Sequence, residues 1–166
     1  MRARFVLAAL FAVHLSAAPS PAQAAPPRLD TPSGFPVPRF VSLKDEETNC
    51  RIGPSFDHPV RFVFKRAGAP VLVVAESVDH WRRIRDAEGD ECWAHQTTLK
   101  AQTHVLARRD IDLHARPSAR ARLAGRIGPG VLARIVRRRD DWLLVSAGDA
   151  RGWLRADDVW GGAARD

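Results

Sequence analysis

The chain has 166 residues, with 26 Lys or Arg against 19 Asp or Glu, and its formal net charge is +7. It contains five tryptophans, two cysteines and no tyrosine. This length allows one ordinary domain or two very small ones and excludes a larger set of domains.

The first residues are predicted to be a secretory signal peptide, residues 1–24. Arg2 and Arg4 precede an apolar run at 5–18, and a small-residue AQA site at 22–24 follows it. A retained membrane anchor is the alternative, but it needs about 20 apolar residues, and this run is shorter and contains His14. No cysteine follows the run for lipid attachment. We therefore expect a periplasmic or extracellular protein without a stable membrane anchor.

Residues 25–39 are predicted to form a proline-rich arm. Its five prolines exclude a helix and favour an extended backbone, which could serve as a tether or as a strap.

Short apolar runs separated by turn residues then occur in two series, in residues 40–100 (repeat one) and 103–160 (repeat two). Each series ends in two tryptophans, at 81 and 93 in repeat one and at 142 and 153 in repeat two. The predicted strands lie near 40–43, 60–64, 71–76, 81–85 and 91–95, and near 104–107, 123–127, 131–136, 142–146 and 151–154. No stretch keeps a helical period for three turns. The pattern predicts two small all-β barrels.

Three motifs of repeat one carry a family resemblance. NCRIGPS at 49–55, WxxI at 81–84 and CWAH at 92–95 resemble the bacterial SH3 (SH3b) pattern NVRxGPS, WxxV and GWV. In repeat two, DLHARPS at 112–118, WxxV at 142–145 and GWL at 152–154 resemble a degenerate copy. The resemblance implies an all-β fold of two tandem small SH3-like barrels and recognition of the cell wall or of peptides.

Cys50 and Cys92 replace an apolar residue and a glycine of that pattern, which suggests a pair pointing inward. In an oxidising compartment they are predicted to form a disulfide, and closing a loop of roughly 40 residues would stabilise the fold by about 4 kcal/mol. Two buried thiols are the alternative. No metal site is predicted, since neither cysteine has a second Cys or His at ligand spacing.

The repeated tryptophans are predicted to lie outside the barrel cores. Because strand side chains alternate, Trp81 lies opposite the face of Ile84, and Trp93 opposite that of Ala94. Such an outward pair could line a ligand groove, or it could pack over strand ends or between the repeats.

The NCRIGPS loop is the predicted binding element, since Asn49, Arg51 and Ser55 can offer donors to an extended peptide, and Gly53 is free to adopt positive φ. The alternative is that Asn49 and Arg51 only stabilise their own loop. If one copy binds, it is the first, and His114 is the counterpart of Arg51 in the second. The candidate ligand-binding residues are Asn49, Arg51, Ser55, Trp81, Arg83, Trp93 and His95.

Positive charge is concentrated in residues 103–166, which carry thirteen Arg against eight Asp. Residues 137–139 are three consecutive arginines followed by Asp140 and Asp141. This cluster could meet nucleic acid, anionic lipid or an acidic wall polymer, and export makes nucleic acid the weakest of these. The alternative is a solvated turn whose charges partly neutralise each other.

No catalytic machinery is predicted. Neither cysteine stands at a helix start with a partner histidine, and neither Asp79 nor His80 is accompanied by a nucleophile on a strand-to-helix turn. We therefore expect a non-catalytic exported module, without a cofactor, that recognises peptidoglycan peptide or an envelope protein. A structural interaction protein with no small ligand is the second hypothesis.

Overall fold

The computed structural model of the protein describes residues 27–163, so the predicted signal peptide lies outside the described residues. Within that range the regular elements are short strands and two 3-10 turns, Gln96–Thr98 and Ala156–Asp158. The first seven strands are β1 (Arg39–Leu43), β2 (Thr48–Arg51), β3 (Val60–Phe64), β4 (Pro70–Glu76), β5 (Trp81–Arg85), β6 (Glu91–His95) and β7 (Leu99–Ala101). The next seven are β8 (His104–Ala107), β9 (Ile111–His114), β10 (Leu123–Ile127), β11 (Leu132–Arg139), β12 (Trp142–Ala147), β13 (Ala150–Arg155) and β14 (Val159–Trp160).

The two repeats have the same sheet topology. The first sheet has the order β3-β2-β6-β5-β4-β1-β7, and the second has the order β10-β9-β13-β12-β11-β8-β14. Every strand of the second sheet therefore occupies the place of the strand seven positions earlier, and neighbouring strands are antiparallel. The predicted fold class, all-β with two tandem small SH3-like barrels, is confirmed.

All ten predicted strands are present, and β3, β5, β6, β8 and β10 have the predicted ends. The predicted end of β11 is wrong, because this strand continues through Arg139. Four further strands, β2, β7, β9 and β14, were not predicted, and they have two to four residues each. Strands this short do not show the alternation of apolar and polar residues that identifies a strand in a sequence. They form because they pair with neighbouring strands.

Each sheet encloses its own hydrophobic core. In the first sheet Ile84 and Ala94 are fully buried, and Leu143, Val145 and Leu154 fill the corresponding space in the second. Cys50 and Cys92 lie inside the first core and form a disulfide with Cα atoms 5.4 Å apart, as predicted.

The second core fills the place of this disulfide with Leu113 and Gly152. Leu113 on β9 corresponds to Cys50 on β2, and Gly152 on β13 corresponds to Cys92 on β6, since the flanking pairs have the same register. A Cβ added at Gly152 would lie 2.7 Å from the Cβ of Leu113. The packing of Leu113 against Gly152 in repeat two therefore takes the place of the Cys50–Cys92 disulfide in repeat one.

The proline-rich arm folds back on itself and is a strap. Arg28 and Val37 form an antiparallel bridge around a turn, and Val37 is buried in the first core. The backbone N–H and the hydroxyl of Ser33 both donate to the carboxylate of Glu76 on β4, at 3.0 and 2.9 Å. The expectation of an extended backbone is wrong for this part of the arm.

The last strand of repeat two packs against repeat one. The indole N–H of Trp160 donates to the carbonyl of Pro70 at 3.0 Å, and its ring meets the ring of Phe40 edge-on with centroids 5.0 Å apart. The backbone N–H of Thr103 donates to the hydroxyl of Ser42, which is fully buried, at 3.1 Å. These contacts fix the two barrels against each other.

Candidate functional site

Five of the predicted ligand-binding residues meet on the outer face of the first sheet. Cross-strand pairing places Arg51 beside Trp93, Trp93 beside Arg83, and Trp81 beside His95. Directly paired residues project to the same side of a sheet, and the opposite side here carries the core. We call the group formed by Arg51, Trp81, Arg83, Trp93 and His95 the aromatic face.

Phe56, which was not predicted as a site residue, completes this face. Its ring lies 4.9 Å from that of Trp81 and 5.3 Å from that of His95, between centroids. Phe56 is 66% exposed, whereas Trp81 beneath it is only 4% exposed. A single phenylalanine in a polar loop belongs to no apolar period, so only its position beside the GPS motif could have indicated it.

Arg51 holds the loop that carries Phe56. Its guanidinium donates to the carbonyl of His58 at 2.7 Å and lies 5.7 Å from the centroid of the Phe56 ring. The predicted alternative, that Arg51 stabilises its own loop, therefore agrees with these contacts. The same arginine also positions the exposed aromatic ring.

Ser55 and Asn49 occupy different settings. The hydroxyl of Ser55 accepts from the backbone N–H of Asp57 at 3.0 Å, which stabilises the turn. Asn49 is exposed on β2, on the same side of the strand as Arg51, and its amide has no side-chain hydrogen bond within the described residues. Asn49 is thus the candidate whose donors and acceptor are open to a ligand.

Gly53 is required for space rather than for positive φ. Its backbone is not in the left-handed region, so the freedom of glycine at positive φ is not used at this position. A Cβ at Gly53 would instead collide with the imidazole of His58. Glycine at this position lets the loop pack closely against the imidazole of His58. The backbone carbonyl of the same histidine accepts the hydrogen bond from Arg51.

The charge of Arg83 is neutralised within the sheet. Its guanidinium lies 2.6 Å from one carboxylate oxygen of Glu91, and Arg85 lies 2.5 Å from the other. His95 shares a hydrogen bond with the hydroxyl of Thr97 at 2.8 Å. The aromatic face is therefore apolar at Phe56 and Trp93, and Glu91 offsets part of the positive charge around them.

Repeat two has a smaller aromatic cluster, without a counterpart of Phe56. His114 pairs with Trp153 as Arg51 pairs with Trp93, and its ring nitrogen Nδ1 contacts the carbonyl of Ala121 at 3.1 Å. The position of Phe56 is taken by Ala119, and the ring that meets Trp142 is instead that of His114, edge-on with centroids 5.7 Å apart. Trp142 is half-buried. The exposed phenylalanine is thus a property of repeat one alone.

A second feature of repeat one is a buried ionic cluster under the strap. The side chain of Glu76 is fully buried, with Arg39 at 2.6 Å and Arg82 at 3.2 Å from the same carboxylate oxygen. Burial raises the pKa of the Glu76 carboxyl, but hydrogen bonds from Ser33 and Arg39 outweigh burial and hold it below its ordinary value. Beside the cluster lies a groove of about 710 Å³ between the strap and β1.

The described residues contain no arrangement typical of catalysis or metal binding. Asp79 and His80 are exposed in the turn after β4, and neither side chain is hydrogen-bonded to a serine or cysteine of residues 27–163. Across the same residues, no three His, Cys, Asp or Glu side chains lie close enough to hold a metal ion. Nor does this part of the chain include a helix long and apolar enough to cross a membrane.

Among the solved structures that this chain matches are NlpC2 and NlpC1 from Trichomonas vaginalis, each 11% identical over 74% of this chain. The TM-scores are 0.34 and 0.33, and the match covers 48% and 45% of those chains, so this chain spans about half their length. A search of curated proteins found no match. The family model of the bacterial SH3 domain matches residues 44–100 and again residues 111–161. With both repeats matched over more than half of its length, the chain belongs to the bacterial SH3 domain family.

Proposed function

We propose that this protein is a non-catalytic, exported binding module that recognises peptidoglycan peptide or an envelope protein through the aromatic face of repeat one. The observation that carries the proposal is Phe56, a large apolar side chain that is 66% exposed yet held in a defined place by Trp81, His95 and Arg51. An exposed aromatic ring on a rigid support is a common anchor for a binding partner.

The surroundings of Phe56 suit an extended peptide. Trp93 adds a half-exposed ring on β6, and Asn49 on β2 offers an amide that can donate to and accept from a peptide backbone. Aromatic grooves with a few polar groups are the usual means by which SH3-like barrels bind extended ligands. Family membership supports the same conclusion, since bacterial SH3 domains are generally binding modules.

Export is supported by the disulfide between Cys50 and Cys92, because disulfides persist in oxidising compartments and are rare in the cytosol. The predicted signal peptide agrees with this location.

A structural role in the envelope without a small ligand is the second candidate. It is favoured by the internal contacts of Arg51, Ser55 and Arg83, each of which already has a partner inside the protein. In that case Phe56 would pack against a protein partner, and no wall fragment would bind.

Sedimentation with purified peptidoglycan separates the two candidates. We expect the exported protein to pellet with the wall, and Phe56→Ala to weaken this binding by about 1 to 3 kcal/mol, the range for an aromatic anchor. Leu123→Ala is the matched control, since Leu123 is a large apolar residue of repeat two that is 55% exposed. His114→Ala should also leave pelleting nearly intact.

Arg51→Ala tests the link between loop and binding. Because this arginine holds the Phe56 loop, we expect it to weaken pelleting and also to lower the melting temperature slightly. Failure of the unaltered protein to pellet, or equal loss in Phe56→Ala and Leu123→Ala, would reject the wall-binding proposal and favour the structural role.

A further inference from the structure

The outer face of the second sheet carries five arginines around three large apolar side chains. Pairing across β11, β12 and β13 sets these residues in three rows. Cross-strand partners project to the same side, opposite the buried Leu143 and Val145. The rows are Arg134, Ser146 and Arg151; Arg137, Leu144 and Trp153; and Arg139, Trp142 and Arg155. We call the five arginines with Trp142, Leu144 and Trp153 the arginine face.

The corresponding strands of repeat one show that the barrel does not need this charge. Arg151 takes the position of Glu91, which binds both Arg83 and Arg85 in repeat one. In repeat two, Arg151 pairs with the uncharged Ser146 on β12, and Ser146 pairs on its other side with Arg134 on β11. The acidic residue that offsets part of the charge on the first face is therefore replaced by a further cation in the second.

Most of this charge has no partner inside the protein. Only Arg155 has carboxylates within 4.0 Å, those of Asp141 and Asp157. Within residues 27–163, no salt bridge reaches Arg134, Arg137, Arg139 or Arg151, and all four are exposed. Strand β12 lies between the arginines of β11 and those of β13, so none of them pairs directly with another. Like charges gathered on one face still repel one another, and an anionic partner would offset this repulsion.

The arginines at 137 and 139 do not lie in a solvated turn. They form the end of β11 and point to the same side of the sheet, because Arg137 pairs with Leu144 and Arg139 with Trp142. Asp140 begins the turn that follows, and it forms no ion pair with either arginine. The alternative of a self-neutralising turn is therefore wrong for these residues.

We propose that the arginine face binds an acidic, extended segment of a partner protein. Guanidinium groups bind carboxylates through two parallel hydrogen bonds, and tryptophan and arginine together are the residues most enriched at the centres of protein interfaces. Alternate residues of an extended strand are about 6.6 to 6.8 Å apart, so carboxylates at alternate positions of a ligand match Arg137 and Arg139.

The apolar residues of the face favour a protein partner over a lipid surface. Trp142, Leu144 and Trp153 are all half-buried within the sheet, so they offer contact area without projecting far enough to insert among acyl chains. The site lies on repeat two and is independent of the proposed wall-binding function of repeat one.

Fluorescence anisotropy with a labelled synthetic peptide of alternating Glu and Val tests the proposal on residues 25–166. The test variant is Arg137→Glu with Arg151→Glu. The matched control is Arg66→Glu with Arg108→Glu, which changes the net charge equally at two exposed arginines outside the face. A neutral version, Arg137→Gln with Arg151→Gln, removes the charges without adding acids, and circular dichroism checks that each variant is folded.

We expect the test variant to bind the peptide at least about ten-fold more weakly than the unaltered protein, as two lost charge-assisted contacts require. The neutral version should show an intermediate loss, and the control should change less than about two-fold, since distant exposed charges are largely screened at physiological salt. Equal losses in test and control variants would overturn the proposal. So would tighter binding to a single-stranded oligonucleotide or to anionic vesicles than to the acidic peptide.

Discussion

At the scale of single residues, the most unusual position in this protein is Glu76. Its carboxylate is fully buried and is held by two arginines and by Ser33 of the strap. Arg82 is itself buried, and its other donors reach the carbonyl of Trp81 and the amide oxygen of Gln96. A buried charge is tolerated only when it is paired and hydrogen-bonded, so Glu76 ties the strap to the sheet.

Glu76→Gln should strongly destabilise the protein. The change leaves Arg39 and Arg82 without their counter-charge in a buried place, and breaking such a pair costs about 3 to 5 kcal/mol. Glu47→Gln is the control, because Glu47 pairs with Lys65 at the surface, where an ion pair contributes about 0 to 1 kcal/mol. Urea unfolding of both variants measures the difference, and similar midpoints would contradict the structural role of Glu76.

The same carboxylate predicts an acid sensitivity. Its pKa is lowered in the folded state, so the folded protein binds the proton more weakly than the unfolded chain does. The resulting stability is present above the ordinary glutamate pKa of about 4.3 and is lost as the pH falls through the lower folded value. Unfolding midpoints measured across this range should fall more steeply for the unaltered protein than for Glu76→Gln. Parallel curves would show that other carboxylates govern acid unfolding.

At the scale of elements, the two cores show alternative ways of joining the same pair of strands. The strands β2 and β6 are linked by a disulfide, whereas β9 and β13 pack Leu113 over Gly152. The backbone register beside the two pairs is the same. The leucine and glycine pair should therefore fit into the first barrel without a change of backbone.

Cys50→Leu with Cys92→Gly should be more stable than Cys50→Ala with Cys92→Ala. Both lose the bridge, worth about 4 kcal/mol for a loop of this length. The leucine regains about 1.5 to 3 kcal/mol by burial, and glycine in a strand costs about 0.5 to 1 kcal/mol, so we expect a net advantage of about 1 kcal/mol. Denaturant unfolding under one set of conditions compares the two. Greater stability of the double alanine variant would show that the two cores are not interchangeable.

At the scale of the whole molecule, the barrels are joined through the last strand of repeat two, and the residues after this strand are held by Gln102 and Arg138. Gln102, before β8, donates to the carbonyl of Gly161 after β14, and Arg138 donates to the carbonyl of Gly162 at 2.7 Å. Trp160 then reaches Pro70 and Phe40 of repeat one. Small barrels are marginal alone, and this shared contact adds buried area to both.

Trp160→Ala should uncouple the two barrels. The change removes the hydrogen bond to Pro70 and the ring contact with Phe40, at a cost of about 3 kcal/mol, the lower end for a tryptophan truncation. We expect one calorimetric transition for the unaltered protein and two for the variant. Trp142→Ala serves as control, since Trp142 lies away from the junction. Two transitions in the unaltered protein would contradict the coupling.

The sequence by itself determined the fold class, the two copies and most of the strands, because alternating apolar residues dictate which face of each strand is buried. It also indicated the disulfide, since both departures from the family pattern fall on inward positions. Only the tertiary structure decided that Phe56 covers Trp81, that Glu76 holds the strap, and that five arginines meet on one face. The arginines share a face because of the strand register and a bulge in β11, and neither can be read from the apolar pattern. Phe56 lies in a loop without a period, so only tertiary packing brings it to Trp81.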